Sequence, residues 1–190
     1  MKFFSSFILL GFFMATSCSP VKELTVVNET TMNSFLETNN ISNTKQLVVN
    51  DFVTYKKLGK EEFLKIPKVL FFNKEGFSID YLNPEKRCSQ EPLVFLKNFD
   101  KNKAYSIDKN VKLDDFIKSF RPANTASTFE RNENTKLYVF VNWGSFAKKI
   151  NDDSINLVKN KKDGVEVYLI NIEPQESWNL TEGQIKKLNL

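Results

Sequence analysis

Leu137-Tyr138-Val139-Phe140-Val141, then the stretch from Phe146 to about Lys162, then Val165 to Ile172, decide the fold of this chain. The first run is continuously apolar and β-prone, which suits a strand covered on both faces. The middle stretch carries Phe146, Ile150, Ile155, Leu157 and Val158 among polar residues, a pattern that predicts a helix. The last run is rich in β-branched residues and reads as a second strand. Strand, helix and strand in this order form a β-α-β unit, and its right-handed crossover places the two strands parallel in one sheet.

A second unit lies upstream. Val69-Leu70-Phe71-Phe72, the turn Asn73-Lys74-Glu75-Gly76 and the alternating Phe77-Ser78-Ile79-Asp80-Tyr81-Leu82 read as a β-hairpin. Its first strand is uniformly apolar and belongs inside a sheet, whereas its second alternates and belongs nearer an edge. Lys45 to Phe52, around Leu47-Val48-Val49, predicts a further buried strand. Short helices are predicted over 29–38, over Gly59–Ile66 ending at Pro67, after a Ser89 cap with Leu93, Val94, Leu96 and Phe99, over Leu113–Phe120, and after a Thr181 cap. Residues 121–135 have no sustained period and read as a loop between two halves. The expected architecture is a single α/β domain over 29–190, with a central mixed sheet of about five strands and flanking helices.

The N-terminus has its own logic. Lys2 precedes Phe3–Met14, an uncharged run too short to span a bilayer, and Ala15-Thr16-Ser17 supply small residues directly before Cys18. Residues 1–17 therefore read as a signal peptide. The Ala-Thr-Ser-Cys junction resembles the lipobox of bacterial lipoproteins, and the resemblance implies lipidation of Cys18 with residues 18–28 as a tether. Each buried lipid methylene contributes about 0.8 kcal/mol, so several acyl chains hold where one does not. Ser19 is not the aspartate that, in lipoprotein sorting, resembles an inner-membrane retention signal. The implied location is the bacterial cell envelope, anchored in the outer membrane and facing the periplasm.

Removal of residues 1–17 from 190 leaves 173, enough to bury a real core. Loss of Lys2 leaves 26 basic against 23 acidic residues with interspersed signs, a balance that gives no reason to expect nucleic acid. The run Lys159, Lys161, Lys162 reads as a solvated helix end in preference to an anion site. With Cys18 lipidated, Cys88 is the one thiol left, so no intramolecular disulfide can form. Histidine is absent, which removes the commonest general base, the commonest transition-metal ligand and every Ser-His or Cys-His pair. No phosphate-binding loop and no metal-spaced cluster occurs, so neither a cofactor nor a metal is expected.

Two stretches resemble thioredoxin-like proteins. Ile66-Pro67-Lys68-Val69-Leu70-Phe71-Phe72-Asn73-Lys74-Glu75-Gly76 is similar to the segment in which a proline opens the hairpin. Trp143-Gly144-Ser145-Phe146-Ala147-Lys148 resembles the active-site turn with both cysteines replaced, Gly144 and Ala147 standing where the thiols would be. The resemblance implies a redox-inactive thioredoxin-like sheet with a possible binding turn at Trp143, Gly144, Ser145 and Pro67. Dithiol exchange at this turn is excluded, because it needs an attacking thiolate and a resolving partner. The β-α-β unit follows the hairpin here, the reverse of the family order, so either a permuted arrangement or two separate partial likenesses fits. Trp143 and Trp178 are candidate surface anchors or core residues. The expected function is a non-enzymatic binding domain for an envelope protein partner. The alternative is a thiol-dependent oxidoreductase or peroxidase acting through Cys88, whose thiolate Arg87 and a following helix N-terminus would favour.

Overall fold

The computed structural model describes residues 25–41, 46–66, 68–81, 91–123, 129, 131–159 and 162–188. In chain order they form α1 (Glu29–Thr38), β1 (Gln46–Val49), α2 (Phe52–Lys60), β2 (Val69–Asn73), β3 (Phe77–Ile79), α3 (Glu91–Asn98), β4 (Ile107–Lys112), α4 (Leu113–Phe116), β5 (Phe120–Pro122), β6 (Leu137–Trp143), α5 (Lys148–Lys159), β7 (Val165–Asn171) and α6 (Glu182–Lys187). Cys18, Cys88, Pro67 and the Ser89 cap lie outside the described residues.

One mixed sheet runs β4-β3-β2-β6-β7-β1-β5. The expected parallel pair is present: β6 and β7 are in register from Leu137↔Val165 to Trp143↔Asn171. β1 adds parallel to β7, and β2 adds antiparallel to the other side of β6. All seven residues of β6 are buried, as its unbroken apolar run requires. Leu137, Val139, Val141 and Trp143 enter one core with Met32 and Leu36 of α1, Leu96 of α3 and Ile155 and Leu157 of α5. Tyr138 and Phe140 enter the other with Tyr55 and Leu58 of α2, Leu113 and Phe116 around α4, and Trp178. Many of the phenylalanines fill these two layers as ring pairs, such as Phe116 against Phe63, Phe72, Phe120 and Phe140.

Several expectations need correction. The sheet has seven strands among the described residues, not about five. β4 (Ile107-Asp108-Lys109-Asn110-Val111-Lys112) is almost wholly exposed, so it lacks the apolar alternation that reveals a strand. β5 is a three-residue edge strand opposite β1, and it takes Phe120 from the expected fourth helix and Arg121 and Pro122 from the expected loop. The helix predicted over Gly59–Ile66 instead spans Phe52–Lys60, because Asp51 caps it by accepting from Thr54 N at 2.7 Å. It ends where Glu62 takes a left-handed φ of 56° and Phe63 N reaches back to Leu58 O, a Schellman closure with no glycine. α5 begins at Lys148, two residues later than read, since Phe146 belongs to the preceding turn. The hairpin is present, with Gly76 at φ 86° closing the turn and its N–H donating to Asn73 O, but its second strand covers only Phe77–Ile79 of the expected Phe77–Leu82, and Leu82 lies outside the described residues. The Thr181 cap stands as expected, reciprocated by Gln184.

Candidate functional site

In open α/β sheets the C-terminal ends of parallel strands are where loops converge and ligands bind. Here β6 and β7 end together at Trp143 and Asn171, and Ile172 N extends the pairing by donating to Trp143 O at 3.1 Å. β6 then turns through Gly144-Ser145-Phe146-Ala147 into α5, with Ala147 N donating to Gly144 O at 3.0 Å. At Gly144 a Cβ would lie 2.5 Å from the Phe146 ring, so a larger residue there would push that ring aside. β7 runs on through Glu173, Pro174 and Gln175, against which Val27 forms a parallel bridge. Val27 N donates to Pro174 O, and Glu176 N donates to Val27 O. Val27, inside the 18–28 segment, is thus buried in the domain, and Asn28 caps α1.

At this junction sits a buried carboxylate. Glu173 has no exposed surface, and its oxygens receive three donors: Ser145 N at 2.7 Å, Ser145 Oγ at 2.6 Å and Asn171 Nδ2 at 3.0 Å. Asn171 Oδ1 accepts from Glu173 N and from Gln175 Nε2, and the latter also donates to Glu173 O at 2.7 Å. These three donors satisfy the carboxyl oxygens, which makes the burial of the group tolerable. Tyr55 of α2 feels it: burial pushes the phenol up to about 12, and the negative charge of Glu173 adds to the effect.

Ser145 beside a carboxylate is the geometry of a nucleophile and a base. Here both Ser145 bonds also tie the turn after β6 to the segment after β7, where the Asn171 bond holds the same carboxyl group. Ser145 is itself exposed, at the mouth of the network.

Of the residues singled out by sequence, Trp143 is only 1% exposed and stacks on Phe35 of α1 at 4.6 Å, so it is a core residue and not a surface anchor. Trp178 is half-buried against Tyr55. Pro67 lies outside the described residues, but Lys68 beside it bonds to the strand that carries Trp143. Asn142 N donates to Lys68 O at 2.9 Å, and its side-chain amide donates to Phe63 O at 2.7 Å and Lys65 O at 3.2 Å. Sequence reasoning passed over Asn142, Asn171, Glu173 and Gln175. Their trace was there: polar residues directly at the ends of two buried strands, where a core pattern would run out into solvent.

Among the described residues, open grooves flank the sheet at both ends of its strands. One of about 420 Å³ borders the network and is lined by Val27, Glu29, Met32, Arg121, Gln175 and Ser177 among others. The second, of about 520 Å³, lies at the opposite end, where Lys74, Lys101, Lys103 and Lys136 surround Phe99 and Tyr105. Among the described residues no group of three potential metal ligands occurs, and no helix is long and apolar enough to cross a membrane. No protein-family model matches the chain, and neither a curated protein nor a solved structure matches it.

Proposed function

We propose that this chain is a lipid-anchored lipoprotein of the bacterial cell envelope whose α/β domain works by binding another envelope protein, not by catalysis. The observation that carries this reading is the β6–α5 turn. The position that resembles the reactive turn of thioredoxin-like proteins holds a buried indole and a serine pinned by a buried carboxylate, an arrangement suited to a rigid scaffold. The thioredoxin-like reading of the sheet draws support from Asn142. It ties the Ile66–Lys68 stretch to the strand carrying Trp143, so that hairpin and β-α-β unit share one sheet with their chain order reversed.

The test is intact mass and membrane fractionation of the protein expressed in a bacterium, beside Cys18→Ala, followed by thiol titration of Cys88. A lipid-sized mass increment and membrane retention that both vanish with Cys18→Ala, together with a slow Cys88, support the tethered binding domain. Crosslinking in the envelope then identifies the partner. An unlipidated mature chain overturns the anchor, and a thiol reacting rapidly near neutral pH replaces the binding domain by a thiol-dependent oxidoreductase.

A further inference from the structure

The outward face of α2 is unusual for a surface helix. Val53 is 73% exposed, the most exposed large apolar side chain among the described residues. Residues three, four and seven positions further on share its face, and these are Lys56, Lys57 and Lys60, all exposed. The buried positions Tyr55 and Leu58 point to the opposite side. Two acids border the patch: Asp51 at the N-cap and Glu61, 4.0 Å from Lys57. From Val53 toward the C-terminus of the helix the face is otherwise basic.

The topology sets where this face stands. β1 and β7 are parallel, so their C-terminal ends share one edge of the sheet. α2 starts directly after β1, which puts Val53, in its first turn, at that edge. The N-terminal segment arrives at the same edge, where Val27 bridges Gln175, and Tyr55 of α2 packs on Trp178 three residues beyond. Seven peptide units separate Thr25 from Cys18. They span at most about 25 Å, so a domain anchored at Cys18 is held within that distance of its bilayer. A short leash turns a weak surface contact into an intramolecular one at millimolar effective concentration.

We propose that α2 docks the domain onto the membrane that anchors it. Lys56, Lys57 and Lys60 engage anionic phospholipid headgroups, and Val53 enters the interface between them. This fixes the domain's orientation, with the helical layer that contains α2 against the bilayer. The inference rests on lipidation of Cys18.

The experiment uses the full lipidated protein carrying Cys88→Ser and Val53→Cys, labelled at position 53 with an environment-sensitive fluorophore and reconstituted into phosphatidylethanolamine vesicles with or without roughly a third phosphatidylglycerol. Flotation at high salt reports the anchor independently of docking. The expected result is a blue-shifted emission, quenched by spin-labelled lipid, in anionic vesicles only. It should reverse at about 0.5 M salt, where screening is short-ranged. In Lys56→Gln/Lys57→Gln/Lys60→Gln the docking equilibrium should weaken by roughly a hundredfold. If the protein floats but the fluorophore is indifferent to anionic lipid, docking is overturned while the anchor stands, and the face is left to a protein partner. An equal shift in neutral vesicles rejects the role of charge. Failure to float removes both readings.

Discussion

Glu173 is the residue on which the β6–α5 turn depends. Hydrogen bonds to a charged group are worth about 1.5–3 kcal/mol each in mutational series. Glu173→Gln keeps the shape but turns an NH2 toward donors, and should lower stability by roughly 2 kcal/mol, read as a reduced urea midpoint at unchanged slope. The same variant should let Tyr55 titrate at lower pH, because the carboxylate that helps hold its phenol up is gone. A Tyr55 unmoved in Glu173→Gln would show that burial alone sets its titration. Trp143 makes the contrasting case. Its loss as Trp143→Ala should cost about 3–5 kcal/mol, the range for large core aromatics, and a loss below about 1 kcal/mol would contradict its place in the core. Sequence alone left Trp143 open between anchor and core, since a tryptophan following a buried strand suits both. Its 1% exposure and the stacked Phe35 decide for the core.

At the scale of elements, capping chemistry competes with hydrophobic period and wins at α2. The Phe63, Leu64 and Ile66 pattern suggests a helix over 59–66, yet the Asp51 cap starts one seven residues earlier, at Phe52, and Glu62 stops it. Asp51→Ala should therefore destabilise the protein by about 1 kcal/mol, measured by thermal or urea unfolding, while Val53, exposed on the same turn, can be replaced by a polar residue at little cost. β6, β7 and the β2–β3 hairpin were legible because strands buried on both faces must be apolar throughout, and because a glycine at positive φ marks the hairpin turn. β4 and β5 were not legible. Edge strands need only one partner and little burial, and the lysines of β4 and the brevity of β5 protect edges from further pairing while hiding them from pattern reading.

For the whole molecule, the buried phenol of Tyr55 and the partly buried phenol of Tyr168 make stability fall at alkaline pH. Burial pushes both Tyr55 and Tyr168 up to about 12, with the charge of Glu173 contributing at Tyr55 and Tyr138 contributing at Tyr168. A raised folded value means that the folded state holds these protons more tightly than the unfolded chain. The stabilisation is fully present below about pH 10 and is lost as the pH rises toward 12. Unfolding monitored between pH 9 and 12, with tyrosinate absorbance as a second probe, should show stability falling across that window; a flat profile would place the phenols in solvent. The sequence by itself determined the α/β class, the parallel β6–β7 pair, the hairpin and the absence of histidine chemistry, because local period, turn residues and composition carry that information without reference to distant partners. Only the tertiary structure decided that Ser145, Asn171, Glu173 and Gln175 form one network, that Asn142 ties Phe63, Lys65 and Lys68 to the strand carrying Trp143, and that Val53 lies at the same sheet edge as the N-terminal segment. Those relations join residues dozens of positions apart, and the strand order that unites them leaves no local mark in the chain.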